Sequence, residues 1–156
     1  MSNGIKLVSS IVICEAAGII GSLFTESGVS SWYAGIVKPS FNPPSWVFAP
    51  VWTVLFALMG IALFLVWRHG WETSGVRKAI GFFSVQLALN ILWSFLFFGL
   101  HDPFLAFLEI IVLWCAIVAT IAVCARVSRP AAYLLLPYIL WVSFAGYLNY
   151  TIWMLN

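Results

Sequence analysis

Charge is the scarcest property of this 156-residue chain: only 8% of its residues are Asp, Glu, Lys or Arg. A soluble domain carries about 25% charged residues on its hydrated surface, so a water-exposed globule is excluded. Nowhere do the seven Lys and Arg form a block that could track phosphates, and a net charge of +2 is too weak to hold nucleic acid. Cysteine is scarce as well. Cys14, Cys115 and Cys124 are odd in number and lie in apolar stretches, which excludes a disulfide framework or a CxxC metal site. His69 and His101 fall in loops at opposite ends of the pattern with no ligand spacing, so no metal or haem iron is expected. No GxSxG, HExxH, phosphate-binding glycine loop or Ser/His/Asp arrangement occurs, and no cofactor is expected.

What the chain has in excess is apolar length. Hydrophobic residues make up 63% of it and the mean hydropathy is +1.06, which predicts an all-α integral membrane protein. About 20 apolar residues cross a hydrocarbon core of roughly 30 Å. The charge punctuation predicts a single domain over residues 1–156, with five transmembrane helices at about 5–24, 45–67, 79–100, 104–125 and 131–154. The first carries Glu15 and lacks a small-residue cleavage pattern, so it reads as a retained helix. Asp102-Pro103 and Ser128-Arg129-Pro130 make tight turns that set spans three, four and five antiparallel to their neighbours. Lys6, Arg68, Arg77, Lys78, Arg126 and Arg129 share one side and only Lys38 the other, which predicts a cytoplasmic N-terminus, an external first loop and, for a prokaryotic host, the plasma membrane.

The first connection is unlike the others. WYAGIVKPSFNPPSWVFAPVW, residues 32–52, concentrates tryptophan and proline where a polar linker would suffice, and suggests a stiff lid over an apolar ligand. Beneath it three helical stripes converge: Trp52, Phe56 and Met59; Gln86, Asn90, Trp93 and Phe97; Tyr138, Trp141, Ala145 and Asn149. Aromatic rings with a few amides suit a flat, largely apolar ligand with some polar substituents. Simpler explanations stand beside this one. Trp32, Trp46, Trp67, Trp71 and Trp153 fall where interfacial belts form, whereas Trp52, Trp93, Trp114 and Trp141 are too deep for a belt and pack between helices or meet a ligand. Gln86, Asn90 and Asn149 suit interhelical hydrogen bonds equally well. Pro50 and Pro137 are candidate kinks. Glu15 shares a stripe with Gly18 and Ser22 and should face a packed helix; Glu109 is a second acid within a span. Ala17 and Gly21 have small-xxx-small spacing, suited to packing within the bundle or across a homodimer.

Three blocks carry a family resemblance: Trp32-Tyr33, Lys38-Pro39, Asn42-Pro43-Pro44, Trp46-Val47-Phe48, Pro50 and Trp52; Gln86 to Ser94; and Pro137 to Trp141 with Phe144-Ala145, Leu148-Asn149 and Tyr150. Together they closely resemble the tryptophan-rich sensory protein and translocator protein family, TspO/MBR, over nearly the whole chain. The resemblance implies a five-helix membrane protein, often a homodimer, surrounded by membrane lipid, that binds porphyrins such as protoporphyrin IX in a pocket under the first loop. It makes Trp52, Asn90, Trp93, Trp141 and Ala145 positions expected to line that pocket; with Trp32 and Trp46 of the loop and Phe56, Gln86 and Tyr138 of the stripes they form the expected ligand-binding set. It leaves a choice of roles: a tetrapyrrole-binding sensor first, then a light- and oxygen-dependent porphyrin-degrading enzyme using Trp52 and Trp141, then a porphyrin or lipid transporter, for which the residues offer no coupling site apart from Glu15. Phe56 stands where the family often has tyrosine, and no basic residue follows Tyr150, so the family's cholesterol-recognition pattern is absent.

Overall fold

A computed structural model describes residues 2–156. Its helices are α1 (Asn3–Val29), α2 (Trp32–Gly35), α3 (Phe48–Trp67), α4 (Ser74–Ser94), α5 (Pro103–Val127), α6 (Arg129–Leu134) and α7 (Leu136–Leu155). A 3-10 turn at Ser45–Val47 leads into α3, and a π-helical segment, Phe95–Gly99, extends α4. Five stretches are long and apolar enough to span a bilayer, at Asn3–Glu26, Ser45–Trp67, Ser74–Gly99, Pro103–Val127 and Arg129–Leu155. The expected second span has these same bounds, the first, fourth and fifth fall inside the observed ones, and the third begins five residues late and ends one residue beyond Gly99.

The helices form a closed ring, in the order first span, second, fifth, fourth, third. α1 packs mainly on α3, α4 mainly on α5, α5 on α6 and α7, α6 on α3, and the third span returns to α1. The tight turns therefore make spans three, four and five neighbours as expected, whereas α3 and α4 touch only lightly although consecutive.

Local sequence explains where the helices begin and bend. Asp102 caps α5 by accepting a bond from the Leu105 N–H at 2.9 Å, with Pro103 at the first helical position. Pro50 lies in the first turn of α3, where its missing N–H has no helical partner to lose, so it makes no kink. Pro137 lies in the first turn of α7, just past the interruption at Leu135 that splits the fifth span. The π segment gives the third span a wider turn that buries the consecutive Phe97 and Phe98 together. Outward faces carry Val8, Val12, Leu23, Val54, Val112 and Leu140, as lipid-facing surfaces require.

A candidate ligand cavity beneath the first loop

The first loop is ordered by side chains folded back on its own backbone. Lys38 Nζ donates to the carbonyls of Tyr33, Ala34 and Ile36 at 2.6, 3.4 and 3.1 Å and lies 5.0 Å from the Tyr33 ring centroid. Tyr33 is 3% exposed and its hydroxyl donates to Asn42 Oδ1 at 2.6 Å. Burial pushes the Tyr33 phenol above its ordinary range, with the bond to Asn42 pulling part of the way back, so it remains a neutral donor at physiological pH. Ring contacts of Trp32 and Tyr33 with Phe97 and of Phe41 with Tyr147 tie the loop to the bundle, as do two further contacts. Asn156 exchanges paired hydrogen bonds with the backbone of Val37, each 3.0 Å. His101, at φ 56 in the turn before α5, stacks its ring on Trp32 at 4.9 Å.

Below the loop lies a cavity of about 540 Å³, within the range of roughly 300–1,000 Å³ typical of small-molecule sites. Trp52, Phe56, Asn90, Trp93, Trp141 and Ala145 line it. The rings hold one another in place: Trp52 stacks on Phe56 at 5.5 Å, Trp93 on Phe97 at 5.2 Å, and Phe48 meets Trp141 edge-on at 6.1 Å. Trp93 Nε1 donates to Asn149 Oδ1 at 3.0 Å, and Asn149 Nδ2 donates to the Pro103 carbonyl at 2.8 Å, so this indole is fixed. Trp141 Nε1 has no hydrogen-bond partner among the described residues although the atom is buried.

The other four expected residues lie elsewhere. Tyr138 and Gln86 are each 1% exposed and line no part of the cavity. Asn90 Nδ2 donates to the Tyr138 hydroxyl at 3.0 Å, which donates in turn to Gln86 Oε1 at 2.9 Å. They form a buried floor that orients Asn90 from behind. Trp32 braces the loop through His101 and Phe97. Trp46, 74% exposed, faces away from the cavity. Trp114, placed by depth between helices, is also exposed, and its N–H donates to Ser143 Oγ at 2.9 Å.

α1 also contributes to the cavity wall, which the three stripes did not include. Glu15, Gly18, Ser22 and Glu26 border the cavity, so Glu15 faces this space, while Gly18 on the same stripe packs against the Phe56 ring of α3. A signal was available, since Glu15, Gly18, Ser22 and Glu26 recur at helical spacing on an otherwise apolar span. Glu109 points into the bundle instead, with both carboxyl oxygens lacking a partner among the described residues.

Comparison with known proteins agrees with this architecture. Residues 10–154 match the TspO/MBR family. The chain is 48% identical to the tryptophan-rich protein TspO of Chlorobaculum tepidum over 97% of its own length and 96% of the relative's. It is 35% identical to the translocator protein of Bos taurus, covering 97% and 90% of the two chains. It is 33% identical to a tryptophan-rich sensory protein of Cereibacter sphaeroides, covering 94% and 88%.

Proposed function

The chain belongs to the TspO/MBR family of integral membrane proteins, and on that premise we propose that it is a membrane sensor or regulator that binds a tetrapyrrole such as protoporphyrin IX beneath its first loop. The observation that carries this reading is the aromatic cavity: Trp52, Trp93 and Trp141, from three helices, border one space large enough for a small-molecule ligand. Ring stacking supplies affinity, while the anchored amide of Asn90 sets orientation. The word sensory in the Cereibacter relative's name supports the regulatory half of the proposal. The protein acts as a homodimer in a prokaryotic plasma membrane, with its N-terminus cytoplasmic and the first loop external, a placement supported by the clustering of Lys and Arg at the helix ends opposite that loop.

A second reading is favoured by one feature. Trp52 and Trp141 both border the cavity, where a photoexcited porphyrin would lie against oxidisable indoles, so light- and oxygen-dependent breakdown of the ligand is the alternative activity. Titration of purified protein with protoporphyrin IX, in the dark and then under light, separates the two beside a Trp52→Phe/Trp141→Phe variant. Saturable dark binding without a protein-specific product supports the sensor. A new absorbing product that the double variant fails to form supports the enzyme. Absence of saturable binding overturns both.

A further inference from the structure

At the end of the bundle opposite the first loop lies a second recess, of about 370 Å³, which shares no lining residue with the cavity. His69 borders it from the turn after α3, Gly75 and Lys78 from the start of α4, and Val123, Arg126 and Val127 from the end of α5. An added Cβ at Gly75 would stand 3.4 Å from Val127, so glycine there keeps the recess open. The cations at this end are not equivalent. Lys6 Nζ donates to the Trp67 carbonyl at 3.5 Å, and the Arg77 guanidinium donates to the carbonyls of Trp71 and Glu72 at 3.3 and 3.1 Å. Arg68 and Arg129 do not line the recess. Lys78 and Arg126 do, from separate helices, and among the described residues neither side chain makes a hydrogen bond or an ion pair. No Asp or Glu lines the recess among the described residues. Two like charges bordering one space repel each other, and an anion placed between them is attracted by both.

Depth and the remaining walls select the anion. His69 lies just past the end of the second span, Lys78 just inside the start of the third and Arg126 just inside the end of the fourth, the level at which phospholipid headgroups meet the hydrocarbon. Val123 and Val127 make one wall apolar, and α5 continues toward the middle of the bilayer with Val118 and Val112 exposed. A soluble anion gains nothing from these side chains, whereas an acyl chain covers them. We propose that this recess binds the phosphate of an anionic phospholipid in the adjoining leaflet. The Arg126 guanidinium offers paired donors to two phosphate oxygens, Lys78 adds a point charge, and the valines meet the first methylenes of the acyl chain.

The test titrates the full chain in detergent with phosphatidylglycerol and, separately, with phosphatidylcholine, counting bound lipid by native mass spectrometry. The first phosphatidylglycerol is expected to bind about tenfold tighter than phosphatidylcholine. That preference should vanish in Lys78→Gln/Arg126→Gln and persist in Arg68→Gln/Arg129→Gln, which removes the same charge from the same end outside the recess. Gly75→Leu keeps every charge but fills the recess, and should abolish the preference as well; the thermal midpoint without added lipid shows that each variant is folded. Equal affinity for the two lipids, or an equal loss in both paired variants, overturns the proposal in favour of a diffuse belt of charge. A preference that survives Gly75→Leu overturns the placement in the recess. Competition by sn-glycero-3-phosphoglycerol, the same headgroup without acyl chains, at concentrations matching the lipid overturns the lipid assignment and makes the recess a site for a soluble phosphate; absence of competition supports the lipid.

Discussion

In the half of the bundle nearest the basic helix ends, small residues draw the helices together; beneath the first loop one such close approach remains, at Gly28 against the Phe98 backbone, but large rings border a void. Gly60 lets α3 approach α1 so closely that an added Cβ would lie 2.6 Å from the Ile11 Cα. Ala62, Ala79 and Ala131 are fully buried nearby, with Met59, Val76 and Ile117 filling the space between. In the other half the buried positions go to Phe56, Phe97 and Phe98, and the tryptophans beside them stand against one another around a void. Without a hydrophobic force between helices in lipid, close approach depends on small side chains. Where they are replaced by rings that stack in pairs, the bundle stays hollow, and that hollow is where a ligand fits.

The comparison can be broken at its densest point first. Gly60→Val thrusts a branched side chain into the Ile11 backbone and should destabilise the protein by about 3 kcal/mol, read as a large fall in the thermal midpoint of detergent-solubilised protein. The opposite experiment adds bulk to the void: Ala145→Trp should weaken tetrapyrrole binding about 100-fold or more, a loss of about 2.7 kcal/mol, while the thermal midpoint stays near that of the unmutated protein. A fall as large as that for Gly60→Val would mean that the two halves are packed alike. Between them lies the floor. Tyr138→Phe leaves Asn90 and Gln86 without their shared hydroxyl, which should cost about 2 kcal/mol of stability and weaken ligand binding as Asn90 loses its anchor; unchanged affinity would show that Asn90 needs no support from behind. The smallest effect is expected at the lid. Asn156→Ala removes paired bonds to Val37 worth about 1 kcal/mol and should speed amide hydrogen exchange in residues 36–42 with little change in midpoint.

Much of this was legible in the residues. Trp52, Trp93, Trp141 and Ala145 could be placed on the cavity because helical phase and depth are local properties, set by 3.6 residues per turn and a rise of about 1.5 Å. Gln86 and Tyr138 share those phases, yet they lie below the void. Phase says which face a residue occupies and not how far the neighbouring helix stands off at that depth. Trp32 and Trp46 were less legible still, because a loop has no period; His101, with no motif around it, gave no sign that it would stack on Trp32. The stripe of Glu15, Gly18, Ser22 and Glu26 was readable, but nothing local says that α1 faces a void and not a packed neighbour.

By itself the sequence determined the membrane, the five spans, the tight turns and the family, because each follows from composition, run length or contiguous motifs that need no partner to be recognised. Tertiary structure alone decided the ring order in which the second span meets the fifth, the π-helical turn that buries Phe97 beside Phe98, and the entry of α1's acids into the cavity wall. These depend on which rings and which small residues meet across helices far apart in the chain, and that is a property of pairs that no single segment carries.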